Sequence, residues 1–428
     1  MRQIVCAGML CLMAGTATSA DYQADTENYR EQLRRLQPGD RLRLEPGDYL
    51  QGLPLHHLSG QAGQPIVIEA ANPAAPPRFI ARSGANTVSL VDARHLVLRH
   101  LEIDGRNLPV DAVKAEGHSR YADFITLEHL HIHDHAASQQ NVGISTKCPA
   151  FGWVVRNNRI ERAGTGMYFG DSDGSDPFVA GLIEDNHVSD TLGYSLQIKH
   201  QQGRPADMPE SGRPHDTLIR RNAFSKEGAV TGTHPRPNVL LGHFPRVGAG
   251  MDDRYLVYRN VFHQNSGEAL LQAEGNLIVF ANLFVNRYGD AIHIQPHNDV
   301  PKTVYVFNNT VLARGQGIAI RNREPPAWPQ QVFANAVFAG TPLTGGQATG
   351  NLLGRYDEAA HFLRAPHKQS QYEMDPAPRR VMRYRDIQTW PALPVQPTGL
   401  DGKPLVPGEI GALSSAAAGR LKWPGMQP

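Results

Sequence analysis

The sequence predicts an all-β solenoid, a stack of short coils, and three observations carry that prediction. A unit of alternating strand, turn and second strand recurs from about residue 95 to 340. The first strands read HLVLRHLEI, FITLEHLHI, GWVVRNNRI, AGLIEDNHV, DTLIRRNAF, RYLVYRNVF, LIVFANLFV, TVYVFNNTV and QVFANAVFA. Taking the residue two before the last apolar position of each gives Leu101, Leu130, Asn158, Asn186, Asn222, Asn260, Asn282, Asn309 and Asn335, a period mostly in the twenties. No helical pattern separates the strands, so each repeat is one coil and about ten coils are expected. A propeller blade needs a longer, four-stranded unit. Coils stack at roughly 4.8 Å, so like residues lie over one another. An asparagine at a bend then satisfies backbone groups and its neighbours' amides together, and the column reads as structural.

The flanks extend this plan. Arg2 precedes an apolar run at residues 4–14 and a small-residue stretch ending at Ala20, the pattern of a secretory signal over residues 1–20. The run is too short to span a bilayer. An exported chain with a periplasmic or secreted destination is expected. Cleavage would remove Cys6 and Cys11, leaving Cys148 without an intramolecular partner, so stability must come from packing. Residues 21–60 read as an N-terminal cap and first coil, with a cap helix over residues 26–36. Residues 61–350 form the solenoid, and the proline-rich, weakly periodic residues 351–428 an irregular wrap along its flank.

Of 428 residues, 42 are Lys or Arg and 41 Asp or Glu; without Arg2 the two counts are equal. There is no basic excess to suggest nucleic acid or a membrane surface. The segment LQPGDRLRLEPGDY resembles the opening coil of many β-helix proteins, and LDGKPLVPGEIGAL at 400–413 resembles a common ending of such domains. With the asparagine-bearing repeats between them, residues 37 to 350 resemble the right-handed parallel β-helix superfamily of pectate, alginate and chondroitin lyases, polygalacturonases and mannuronan C5-epimerases. That resemblance implies a right-handed parallel β-helix acting on an acidic, uronate-containing polysaccharide. It does not choose the chemistry, because no single family's catalytic motif is complete. In the calcium-dependent lyases it implies a Lys and an Arg about one coil apart. Here Lys199 is followed by Arg220 and Arg221, which lie on the next coil's first strand. RPHD at 213–216 matches a fragment of the epimerase motif at Pro214, His215 and Asp216.

Candidate site residues come from aligning the second strand of each coil on its first apolar residue, Ile144, Met167, Leu196, Val239, Leu270, Ile292 and Ile318. In that alignment the strand ends place Asp171, His200, His243 and Glu274 in one line of roughly 14 Å, with Lys199 beside them. Polar strand ends are common on solvated faces, but four consecutive titratable groups suggest a site. The insertions at 201–215 and 245–252 and the loop GDSDGSD follow the same strand and are expected to wall a cleft over it.

β-Elimination from a uronate requires a cation to neutralise the carboxylate, a base for the C5 proton and an acid for the leaving oxygen. Lys199, His200, His243 and Glu274 are therefore the catalytic candidates. Lys147, Tyr168, Gln197, Gln272, His293, Gln295, His297 and Arg321 are the substrate-binding candidates, Tyr168 as a platform for a sugar ring. Asp171, Asp173 and Asp176 suit Ca²⁺ as oxygen ligands on a Gly-containing loop, and equally a plain polar turn. His200 and His243 with an acid also suit a zinc-type ion. His129, His131, His133 and His135 alternate along one strand and read more simply as outward-facing positions. The expected function is lyase-type elimination or C5 epimerisation by a monomer. The alternatives are a glycoside hydrolase, which needs two carboxylates about 5–9.5 Å apart, and a non-catalytic polysaccharide-binding protein.

Overall fold

The computed structural model describes residues 19–229, 234–363 and 390–413. The signal-like run at residues 4–14, with Cys6 and Cys11, lies outside the described residues. The chain is a parallel β-helix. Thirteen strands, from Asp21–Ala24 to Gln347–Thr349, stack in one sheet, and every pairing along that stack is parallel. After most of these strands the chain turns into a second stack and then a third, which together with the first enclose the core. No described helix is long and apolar enough to cross a membrane.

Alternation along the strands builds this interior. In Arg41–Leu44 the leucines are buried and the arginines half-buried, and in Leu53–His56 Leu53 and Leu55 are buried while Pro54 and His56 face outward. Inward residues from successive coils form one continuous core from Leu42 to Val337.

The bend between the first and second stacks is made by two residues per coil. The first adopts left-handed backbone geometry: Asn157, Asp185, Arg221, Arg259, Ala281, Asn308 and Ala334 have φ between 50° and 55° or, at Arg259, 57°. For a residue other than glycine this costs about 1–2 kcal/mol. The second is the expected asparagine, and the ladder it forms offsets that strain. Each Asn side chain from Asn158 to Asn335 donates through Nδ2 to the Oδ1 of the next coil's Asn at 2.9–3.0 Å, and to a backbone carbonyl at the end of the previous coil's strand. The ladder ends one coil later than the repeat suggests, at Asn351.

The cap helix is shorter than expected, Tyr29–Leu33, because Asp25 Oδ1 accepts the amides of Glu27 and Asn28 and holds the preceding residues in a turn. Its buried residues are Tyr29 and Leu33, and the Tyr29 hydroxyl donates to the Gly52 carbonyl at 2.6 Å.

The outer face of the first sheet changes character along the axis. At one register position the coils carry Arg43, Glu69, Arg99, Glu128, Arg156, Glu184 and Arg220, alternating in sign, then Tyr258, Phe280, Phe307 and Phe333. The charged half pairs coil to coil, as in Arg99 with Glu69 at 2.6 Å and Arg220 with Glu184 at 2.7 Å. The aromatic half stacks face to face at 4.8–5.1 Å. The aromatic run is apolar because residues 390–413 cover it: Trp390, Leu393, Val395 and Leu405 pack on it, and the Asn308 side chain donates to the Glu409 carbonyl.

Candidate functional site

The register of the third sheet corrects the alignment on which the candidate column rests. Val239 pairs with Leu271, not Leu270. Both leucines are fully buried, so choosing the first apolar residue slipped this coil by one position, and a one-residue slip exchanges the faces of a strand. Backbone bonds fix the true order: the amides of Lys199, Gly242, Glu274, Gln295 and Arg321 each donate to the residue preceding this position one coil back. Glu274 therefore belongs to the column Lys147, Gly170, Lys199, Gly242, Glu274, Gln295 and Arg321. The line after it holds Asp171, His200 and His243 and then Gly275.

Glu274 is 1% exposed, and its Oε1 accepts the backbone amides of His297 and Asp299. Asp299 in turn holds Arg246 through two bonds of 2.8 Å. Glu274 thus anchors loops and is not presented to solvent. The imidazoles of His200 and His243 do meet, with ring centres 5.3 Å apart. His200 Nε2 faces the Asp173 carbonyl at 3.1 Å, and His243 Nδ1 donates to the Phe244 carbonyl at 2.8 Å. Burial, with Lys199 and His243 nearby, lowers the His200 pKa.

Beyond Gln202, which donates to the Asp173 and Gly174 carbonyls beside His200, the first insertion does not wall a cleft over this line. Met208, in the first, packs with Phe151 and Val179 on the outer side of the first sheet, and buried Arg204 pairs with Asp253. His215 of RPHD lies edge-on to Phe151. The second insertion is fastened by Lys302, which donates to the Pro245 carbonyl at 3.2 Å, and by Arg246 with Asp299.

A groove of about 450 Å³ runs over the third sheet, from the segments before its strands to Lys147, Ser172 and Lys199 after them. Of the expected site residues it brings together Lys147, Tyr168, Gln197 and Lys199; Asp171, His200, His243 and Glu274 do not line it. Its remaining walls come mostly from segments preceding the third-sheet strands, including Asp111, Gln139, Asn141, Tyr194 and Arg236, with Lys114 on its floor and Ser172 of the acidic loop on the other side. Sequence reasoning missed these because it searched only the loops after the strand. Asp111 and Lys114 carried a faint signal, lying one coil before Lys147 in the same repeat.

Four cations, Lys114, Lys147, Lys199 and Arg236, and one carboxylate, Asp111, line this groove. Asp111 is already engaged: it accepts the Val142 amide at 2.8 Å and the Ser145 hydroxyl at 3.3 Å, and lies 3.5 Å from Lys114 Nζ. Lys147 and Lys199 form no salt bridge among the described residues. Lys147 Nζ sits 3.3 Å from the centre of the Tyr168 ring, so the ring face expected to receive a sugar holds an ammonium instead. Burial, reinforced by Lys114, pushes the Lys147 pKa down to about 8. Burial also lowers Lys199 and raises Tyr168 and Tyr194. Gly170 separates the two lysines with φ +87°; a Cβ there would lie 3.2 Å from that of Lys199. The missing side chain lets the Lys199 stem and the Asp176 carbonyl close in beside it, where a Cβ would also stand 3.3 Å from that carbonyl.

The other candidates continue along the same sheet and lie against neighbouring polar side chains. Gln272 donates to Glu268 at 2.7 Å, Arg321 donates to Gln295 at 2.6 Å and to Gln316, and His293 lies 3.0 Å from Asp290. His297 is exposed and joins this network through its backbone amide.

In the acidic loop, Asp171 Oδ1 accepts the amides of Gly174 and Asp176, and Asp173 Oδ1 accepts that of Ser175. These carboxylates fold their own turn rather than converge as Ca²⁺ ligands. Among the described residues, donor atoms within 4.8 Å of one another come from Asp104, His133 and Asp134 on the second sheet. Arg162 already holds Asp134 through two bonds and, with His133, depresses its pKa to about 2.

No profile of a known protein family matches the sequence, and no curated protein matches it. Solved structures do. A lacto-N-biosidase of glycoside hydrolase family 136 from Eubacterium ramulus aligns with a TM-score of 0.53 and 15% identity, over 79% of this chain and 68% of that one. A mutant form of AlyGC, an alginate lyase of polysaccharide lyase family 6, aligns with a TM-score of 0.53 and 13% identity over 95% of this chain, which spans 57% of that enzyme's chain. At these identities the likeness shows the fold alone, a parallel β-helix.

Proposed function

We propose that this chain is an exported enzyme that binds an acidic, uronate-containing polysaccharide along the third sheet and acts on it by lyase-type β-elimination. The observation that carries the reading is the groove's charge, four cations against one engaged carboxylate. Two further observations support it: a structural neighbour is named as an alginate lyase, and the first twenty residues have the pattern of a secretory signal. A hydrolase would need a pair of carboxylates in the groove, and its described lining supplies only Asp111.

The chemistry divides between the two lysines. Lys199 sets its ammonium against the sugar carboxylate and stabilises the negative charge that develops there as the C5 proton leaves. Lys147, whose ammonium is weakened by burial, supplies a free amine that takes that proton. The electron pair of the broken C5–H bond forms the C4=C5 double bond as the C4–O4 bond breaks, and the departing oxygen takes a proton from the lysine ammonium just formed.

The test is a panel of polyuronates followed by the ultraviolet absorbance of the new double bond. Because the base must be unprotonated, the rate of elimination should rise with pH through about 8 and level off above it. An unperturbed lysine would give a rise near pH ~10.4. A rate that falls across that window would remove Lys147 from the role of base. Binding without elimination would leave the non-catalytic reading.

A further inference from the structure

The groove's rim carries a cation that the chemistry above does not use. Arg236 lies in the tripeptide Pro235, Arg236, Pro237, where two prolines stiffen the backbone on either side. Its carbonyl accepts the Lys226 ammonium at 2.8 Å and the Asn265 amide at 2.8 Å. One residue earlier than Pro235, the His234 carbonyl accepts the Gln139 amide at 2.8 Å, and Gln139 also donates to the Leu192 carbonyl. After Pro237, Asn238 is fully buried, and its carbonyl accepts the amides of Ser195 and Leu196. A segment this thoroughly fastened is unusual for one that presents a half-buried arginine to a groove.

The guanidinium itself is lightly held. It lies 5.7 Å from the centre of the Tyr194 ring, donates to the Pro235 carbonyl at 3.4 Å, and forms no salt bridge among the described residues. We infer that Arg236 is a specificity-determining residue whose planar fork grips a second carboxylate of the polymer, on a sugar beside the one being cleaved. The inference rests on the polysaccharide reading of the groove. The geometry supplies what such a clamp needs: a fork matched to a carboxylate, a backbone already fixed so that little ordering remains on binding, and a place in the groove's lining beside Tyr194. Arg236 therefore contributes to affinity for oligomers and not to the bond-breaking step.

The test uses the full chain with short oligogalacturonates and oligomannuronates, measuring KM and kcat for wild type, Arg236→Gln and Arg236→Lys. Arg236→Gln should raise KM about tenfold or more, the loss expected for a charge-assisted pair, and leave kcat little changed. Arg236→Lys keeps the charge but not the fork and should recover only part of the affinity. An unchanged KM in both variants, or a fall in kcat at constant KM, would overturn the assignment. If wild type itself neither binds nor cleaves any of these oligomers, the polysaccharide reading is what has failed.

Discussion

Lys199→Gln should abolish elimination while leaving the protein at least as stable as wild type. The loss should be about 10²–10³-fold in kcat, the scale for removing one preorganised group that stabilises developing negative charge. The sign of the stability effect follows from the environment. Burial, the largest influence, lowers the Lys199 pKa, so the folded state disfavours its ammonium even though Asp171 and Glu274 act in the other direction, and Lys199 forms no salt bridge among the described residues. Replacing it with a neutral amide of similar reach removes a desolvated charge from the native state and nothing that packs the core. Activity and melting temperature should therefore move in opposite directions, or activity alone should move. A variant that loses activity together with its cooperative melting transition would show instead that Lys199 supports the fold.

The largest stability loss is expected from the middle of the asparagine ladder. Asn260 Nδ2 donates to the Ile219 carbonyl at 2.8 Å and to Asn282 Oδ1 at 3.0 Å, while its Oδ1 accepts the backbone and side-chain amides of Asn222 at 2.9 and 3.0 Å. Asn260→Ala leaves several of these partners unpaired where water does not reach, since Asn222, Asn260 and Asn282 are all fully buried. At about 1–3 kcal/mol for each buried group left unsatisfied, the variant should lose about 4 kcal/mol or more. The left-handed residue before it, Arg259 at φ 57°, would lose the bonds that hold its strained turn. Urea unfolding measures this directly. A loss below about 1 kcal/mol would mean that the ladder accompanies the bend without holding it.

The fold was legible in the sequence because its determinants are periodic and chemically specific. An asparagine can serve that bend from either neighbouring coil, so the same residue recurs and announces the stack before any strand is assigned. The site was less legible for two physical reasons. Leu270 and Leu271 are both buried, one in the turn and one on the strand, so hydrophobicity alone could not say which begins the pattern. That single ambiguity placed Glu274 in the histidine line. The second reason is that Tyr194, Gln139 and Arg236 enter the groove from irregular segments of different lengths, where no repeat relates one coil to the next. Where an insertion folds is equally unmarked by spacing. The segment 201–215 lies on the first sheet because Met208 finds Phe151 and Val179 there, a preference that no periodic pattern records.

The same contrast separates structural from functional polarity. Arg99, Glu128 and Arg156 are as charged as the groove lysines, yet they neutralise one another from coil to coil. Lys147 and Lys199 form no salt bridge among the described residues, and Asp111 and Asp171 act on them only from farther away. Unmatched charge in a recess distinguishes the groove from the rest of the surface.

The central claim is that an acidic glycan lies across the third sheet at Lys147 and Lys199, and a crystal structure with a soaked oligouronate tests it most directly. Lys199→Gln, or wild type at a pH below the Lys147 transition, would slow turnover during the soak. The account predicts a sugar carboxylate within hydrogen-bonding distance of a groove lysine, with the chain passing between the Tyr194 edge and Ser172. An oligomer seated instead beside His200 and His243, or on another face of the solenoid, would contradict it.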